Sequence, residues 1–186
     1  MGPETPVNEA QFPDSHMTSP PAGGAERLPP LCGDLNMRID RHGTWYYQGS
    51  PIGRMALVKL FSTVLRRDDA GDYWLTTPVE NGRIVVEDAP FMAIEALIEG
   101  VGRERIVKLR TNVDDMITLD ADHALRVVYD AQSQEPRPYV RVRANLEARV
   151  ARAVYYHLVE LGEPADDDSN VFGLWSCGQF FVLGRV

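Results

Sequence analysis

Gly43-Thr44-Trp45-Tyr46-Tyr47-Gln48-Gly49-Ser50-Pro51-Ile52-Gly53-Arg54-Met55-Ala56-Leu57-Val58-Lys59-Leu60-Phe61 decides the fold, because a strand pattern gives way to a helix pattern within it. Thr44 to Gln48 is β-branched and aromatic, as strands are, and is expected to pair with Met37 to Asp40 as a hairpin turning at His42-Gly43. Successive strand side chains alternate faces, so Trp45 and Tyr47 share one face and Tyr46 takes the other. One of these faces belongs to the core, and the other is free to stack a base or a partner side chain. Ser50 then reads as a helix cap whose hydroxyl accepts an unpaired first-turn amide, with Pro51 at the first helical position, where no N–H is needed. Leu57, Leu60, Phe61, Val64 and Leu65 follow the spacing of one buried helical face, which predicts a helix ending near Arg67.

Beyond this helix, Asp68 to Asp72 is an acidic turn, and the runs Tyr73 to Thr77 and Arg83 to Glu87 read as a hairpin around Asn81-Gly82. Strand-like runs recur near Ile106 to Arg110, Met116 to Leu119, Leu125 to Tyr129 and Tyr139 to Val142. They lead to a second predicted helix, about Leu146 to Leu161, with Asn145 as its cap and His157 on its apolar side. The turn Asp166 to Asn170 and a closing hairpin, Val171 to Trp175 with Gln179 to Leu183, complete the chain. Aligning Arg54 with Arg152 places Leu60 on Leu158. The order helix, acidic turn, hairpin therefore occurs twice. The expected class is α+β, in two similar halves, each with strands and one main helix packed on an antiparallel sheet. The halves are expected at 31–90 and 91–186.

Residues 1–30 carry seven of the 13 prolines and one aromatic residue, Phe12. Such a segment buries too little apolar surface to offset its ordering entropy, and it reads as a disordered leader. The whole chain has 186 residues and a formal charge of −8, which argues against a nucleic-acid or anionic-membrane partner. No stretch approaches the length of apolar sequence that a membrane span needs. The first 26 residues lack both Lys/Arg and an apolar core, so no signal peptide is read there. Two cysteines, Cys32 and Cys177, make no disulfide framework, and a cytoplasmic location is expected. The histidines His16, His42, His123 and His157 have no metal-ligand spacing, and no cofactor fingerprint is present, so neither metal nor cofactor is expected.

The run Gly43 to Arg54, with Leu57 to Phe61, Thr77-Pro78-Val79-Glu80 and Glu87-Asp88-Ala89-Pro90-Phe91, resembles the bacterial family catalogued as domain of unknown function 1285. Leu146 to Arg149, Arg152 to Tyr156 and Trp175 to Phe181 extend the resemblance over the folded part. It implies a duplicated α+β core, a C-terminal half loosely like a pleckstrin-homology fold, and a candidate ligand site between the halves. A signalling role with a nucleotide-like ligand is implied by analogy alone.

The residues themselves suggest an anion site. Arg54 lies in a first helical turn, where free amides and the macrodipole favour an anionic partner, either a ligand or a carboxylate such as Glu80 or Glu87. Arg137, Arg141, Arg143, Arg149 and Arg152 stand against the single acid Glu147. Arg141 with Arg143 on a strand, and Arg149 with Arg152 on a helix, can hold a planar anion or pair with Asp114, Asp115, Asp120 and Asp122. Trp175-Ser176-Cys177-Gly178 is either a plain hairpin turn or a turn presenting amides and a hydroxyl to a phosphate. The candidate contacts are Arg54, Lys59, Glu80, Arg143, Arg152 and Ser176, for a small anionic or nucleotide-like ligand held without catalysis. The alternatives are a hydrolase using Glu80, Glu87, Asp88 or His157, and an adaptor for a protein partner.

Overall fold

The computed structural model describes residues 31–185, and the expected disordered leader lies outside them. The described residues are largely β, with two α-helices. Three strands open the described part, a long β1 (Leu31–Ile39) and the short β2 (Trp45–Tyr47) and β3 (Ser50–Pro51). Helix α1 (Met55–Val64) follows, then β4 (Leu65–Arg67), β5 (Tyr73–Thr76) and β6 (Asn81–Val86). These six strands form one sheet in the order β3-β2-β1-β6-β5-β4. The expected hairpin at His42-Gly43 is present, with Met37 opposite Tyr47.

The second part begins with β7 (Phe91–Glu99), β8 (Ile106–Thr111) and β9 (Met116–Thr118), with a 3-10 turn at Gly102–Glu104. Next come β10 (Leu125–Tyr129), β11 (Pro136–Arg143) and β12 (Leu146–Val150). The second sheet has the order β10-β11-β12-β7-β8-β9. Helix α2 (Arg152–Glu160) leads into a third sheet of β13 (Glu163–Pro164), β14 (Val171–Ser176) and β15 (Gln179–Arg185). The two large sheets are mixed and not wholly antiparallel, because β1 pairs with β6, and β7 with β12, in parallel.

Both predicted helices start too early, for one physical reason. Gln48 (φ 48°) and Gly49 (φ 81°) are both left-handed and form a two-residue hairpin loop, so Ser50 pairs with Tyr47 and Pro51 with Tyr46. Pro51 is tolerated there because β3 is an edge strand. Arg54, not Ser50, precedes the helix, and no side chain caps it. Leu65 to Arg67 are strand, so the helix also ends three residues short of the prediction. In the second case Leu146, Ala148 and Val150 are buried and alternate with half-buried Glu147 and Arg149, a period of two that excludes a helix. Asn145 follows Ala144 (φ 43°) in the turn between β11 and β12, and caps nothing. Arg149 is thus a strand residue and no helical neighbour of Arg152, and His157 is exposed. Asn81-Gly82 is not the hairpin turn either. The turn is Thr77 to Glu80, closed by a 2.8 Å bond from the Thr77 amide to the Glu80 carbonyl.

The order helix, short strand, hairpin holds for α1-β4-β5-β6 and for α2-β13-β14-β15. Each helix also follows a three-strand meander, β1-β2-β3 or β10-β11-β12, and β7-β8-β9 is interposed between the units. One continuous core runs through both parts, from Met37, Ile39 and Trp45 to Leu174, Phe181 and Leu183. Within β14, at the bulge beside Phe172, a Cβ on Gly173 would lie 2.2 Å from the Phe181 carbonyl oxygen. Backbone cannot yield as a side chain does, so Gly173→Ala is expected to cost about 2 kcal/mol by denaturant melting.

Candidate functional site

Two adjoining cavities, about 730 and 330 Å³, lie where the two parts of the chain meet, and both are bordered by Arg67, Arg126 and Glu147. The N-terminal part supplies Arg67, the acidic turn Asp68 to Gly71, Tyr73, Asp88 and Ala89; β10 to β12 and the loops between them supply the rest, including Arg137, Tyr139 and Arg141.

The floor is an interlocked set. Arg126 donates to both carboxylate oxygens of Glu147, at 2.7 and 2.6 Å, and lies 4.5 Å from the Tyr139 ring centre. The Tyr139 hydroxyl donates to Asp88 at 2.7 Å, and Arg149 donates to the other Asp88 oxygen at 2.9 Å. Burial, together with the Asp88 carboxylate, pushes the Tyr139 phenol up to about 12, so it remains a donor. Burial also raises the Tyr73 phenol. The Trp74 indole N–H holds the Asp68 carboxyl below its ordinary range and ties it into its own turn at 2.8 Å.

Two cations on the wall carry no ion pair among the described residues. Arg67 donates only a long 3.4 Å bond to the Gly71 carbonyl and faces the Tyr73 ring at 5.3 Å. Arg141 is exposed, opposite Glu147 in the β11–β12 register, and Glu147 is already engaged by Arg126. The acidic turn Asp68 to Gly71 forms one rim of the cleft.

The six expected contacts do not converge. Lys59 and Arg143 do lie at the junction, each bound across it. Lys59 reaches Asp114 at 2.5 Å; Arg143 donates to the Ser62 carbonyl at 2.5 Å and to Asp115 at 3.1 Å. Lys59 is the foremost cause holding the Asp114 carboxyl below its usual range. Arg54 is exposed before α1 and pairs with neither Glu80 nor Glu87; Glu87 is engaged instead by Arg38 and Arg41. Glu80 is exposed in the β5–β6 turn. Arg152 pairs with Glu135 at 3.0 Å and donates to the Tyr156 hydroxyl. Ser176 is fully buried, and its oxygen accepts the Val107 amide at 3.0 Å. Cys177 (φ 49°) and Gly178 (φ 72°) form the hairpin turn, and the Cys177 amide is spent on the Arg105 carbonyl. Of the expected acid pairings, Arg143 with Asp115 occurs. Asp120 instead holds His123, and Arg137 pairs with Asp130. Among the described residues no group of His, Cys, Asp and Glu can hold a metal ion, and no helix is long and apolar enough to cross a membrane.

These features define a largely β, α+β chain whose two parts share one core and enclose a polar cleft. It belongs to the DUF1285 family. Residues 25–89 match the "Domain of unknown function (DUF1285), N-terminal domain", and residues 90–183 match the "Protein of unknown function (DUF1285), C-terminal domain". The crystal structure of a DUF1285 family protein from Silicibacter pomeroyi DSS-3 is 46% identical, with a TM-score of 0.79 over 85% of this chain and 84% of that one. A second, from Shewanella baltica OS155, is 25% identical, with a TM-score of 0.54 over 68% of this chain and 91% of that one. No curated protein matches the chain.

Proposed function

We propose that this chain is a cytoplasmic, non-catalytic module that binds a small anionic or nucleotide-like ligand in the cleft between its two similar halves. The observation that carries the reading is the pair Arg67 and Arg141, one from each side of a 730 Å³ cavity, with no ion pair among the described residues. That volume falls in the range that small-ligand sites occupy, and two planar guanidinium groups suit a phosphate or carboxylate. Lys59 and Arg143 then serve to hold the halves in register, and Arg54, Glu80, Arg152 and Ser176 lie outside the cleft. Six strands followed by α2 support the loose likeness of the C-terminal half to a pleckstrin-homology fold. The net charge of −8 supports a partner other than nucleic acid or an anionic membrane.

The hydrolase alternative in its Glu80 with Glu87 form loses support from the fold. Glu80 and Glu87 flank opposite ends of the six-residue β6, about 20 Å apart, too far for two carboxylates to share one substrate bond. The test is the melting temperature of the full chain against nucleotides, cyclic and linear dinucleotides, sugar phosphates and simple anions. A native-state ligand must raise it. One chemical class is expected to give a saturable rise. A flat panel at millimolar concentration would remove the reading and leave the protein-adaptor alternative.

A further inference from the structure

A second cavity, of about 440 Å³, lies within the N-terminal part between α1 and its sheet. It is separate from the cleft just described and shares none of its residues. Leu57, Phe61 and Val64 of α1 form its roof, and Leu35, Met37 and Leu75 form its floor. The roof residues are the face that helical spacing marks as core, yet all three are only half-buried, and Leu60 is 60% exposed. Helix α1 is pinned instead at Val58 and Ser62, its buried residues, and by the Arg143 guanidinium on the Ser62 carbonyl. Phe61 still stacks on Trp45 of β2 at 6.2 Å, and Val64 packs against the core, but beside these contacts the helix and sheet leave a space large enough for a ligand.

Polar groups are confined to the mouth. The Thr77 hydroxyl is spent on the Glu80 backbone, donating to its carbonyl at 3.1 Å and accepting its amide at 3.0 Å. The Tyr47 hydroxyl accepts from Gln48 at 3.2 Å. Glu80 is the one charged residue of the lining, and among the described residues its carboxylate makes no ion pair. A fatty acid would set a second carboxylate beside it. An apolar body with an ammonium head would fill the cavity and neutralise the rim.

We propose that this cavity binds a hydrophobic primary amine, its alkyl or aryl body against Leu57, Phe61, Val64 and Met37 and its ammonium group at Glu80. The full chain is titrated by calorimetry with octylamine, octanol and octanoate. Octylamine is expected to bind about three- to fivefold more tightly than octanol, the worth of a partly exposed ion pair, and octanoate more weakly than either. Glu80→Gln sits in an exposed turn and leaves the fold intact. It is expected to erase the amine's advantage while octanol binding stays. Val64→Phe narrows the cavity and is expected to weaken all three. The proposal is overturned if no probe binds saturably, as when another polypeptide segment already fills the space, if octanoate binds most tightly, or if octylamine binds both variants as it binds the natural chain.

Discussion

Phe91→Ala is expected to destabilise the whole chain by about 3–5 kcal/mol, the usual cost of emptying a fully buried aromatic site. Phe91 is the first residue of β7, where the N-terminal part passes into the second sheet, and it is 0% exposed. Its register partner across the parallel pair is Ala148, a small residue that cannot expand into the void. The Arg143 guanidinium lies 5.1 Å from its ring centre, and that arginine also grips Ser62 in α1. Truncation therefore loosens both parts at once. Thermal unfolding is expected to remain a single transition, lowered by roughly 10 °C or more. Two separated transitions would show that the continuous core does not couple the parts.

Asp88→Asn is expected to cost about 2 kcal/mol, because Tyr139 and Arg149 lose the charge of a shared acceptor that is mostly buried. It also changes the alkaline limit. The Tyr139 phenol is raised from 10 to about 12 in the folded chain, first by burial and then by its bond to Asp88. A raised folded value means that the protonated form is favoured in the native state. Its stabilising contribution is fully present below pH 10 and is lost as pH rises toward 12. Tyr73 and Tyr155, both raised chiefly by burial, add to the same loss. In an alkaline titration read by phenolate absorbance, one tyrosine is expected to ionise near 12, and Asp88→Asn is expected to move it down toward 10. An unchanged tyrosine titration in the variant would contradict the Tyr139–Asp88 bond.

Some strand runs are legible because β-branched and aromatic clusters mark them directly, as at Trp45 to Tyr47 and Val171 to Trp175, whereas the nine-residue β7, Phe91–Glu99, is not read as a strand at all. Helix starts are not legible either. Gln48-Gly49 and Ala144-Asn145 make two-residue turns from residues that also precede helices, and only the paired strand distinguishes the two uses. Leu146 to Val150 fits both a two-residue and a helical period over so short a span. The cleft was half visible. Excess arginine between Arg137 and Arg152 pointed to the correct strands, but side-chain direction divides them: Arg141 lines the cleft, whereas Arg143 turns to Ser62 and Asp115. The bulge between the Arg141 and Arg143 register positions breaks the simple alternation on which a shared face rests. Arg67 and Tyr73 gave no signal at all, since their role depends on the second sheet lying beside them.

The most direct test of a ligand site between the halves uses the anion class that raises the melting temperature of the full chain. Its affinity is measured by calorimetry for the natural sequence, Arg67→Ala, Arg141→Ala and the double variant. Both side chains are exposed, so stability should change little. Each single change is expected to weaken binding about tenfold, the worth of one charge-assisted contact, and the double change to weaken it further. Equal affinity in all four proteins, or dependence on only one of the two arginines, would contradict a site shared between the two parts of the chain.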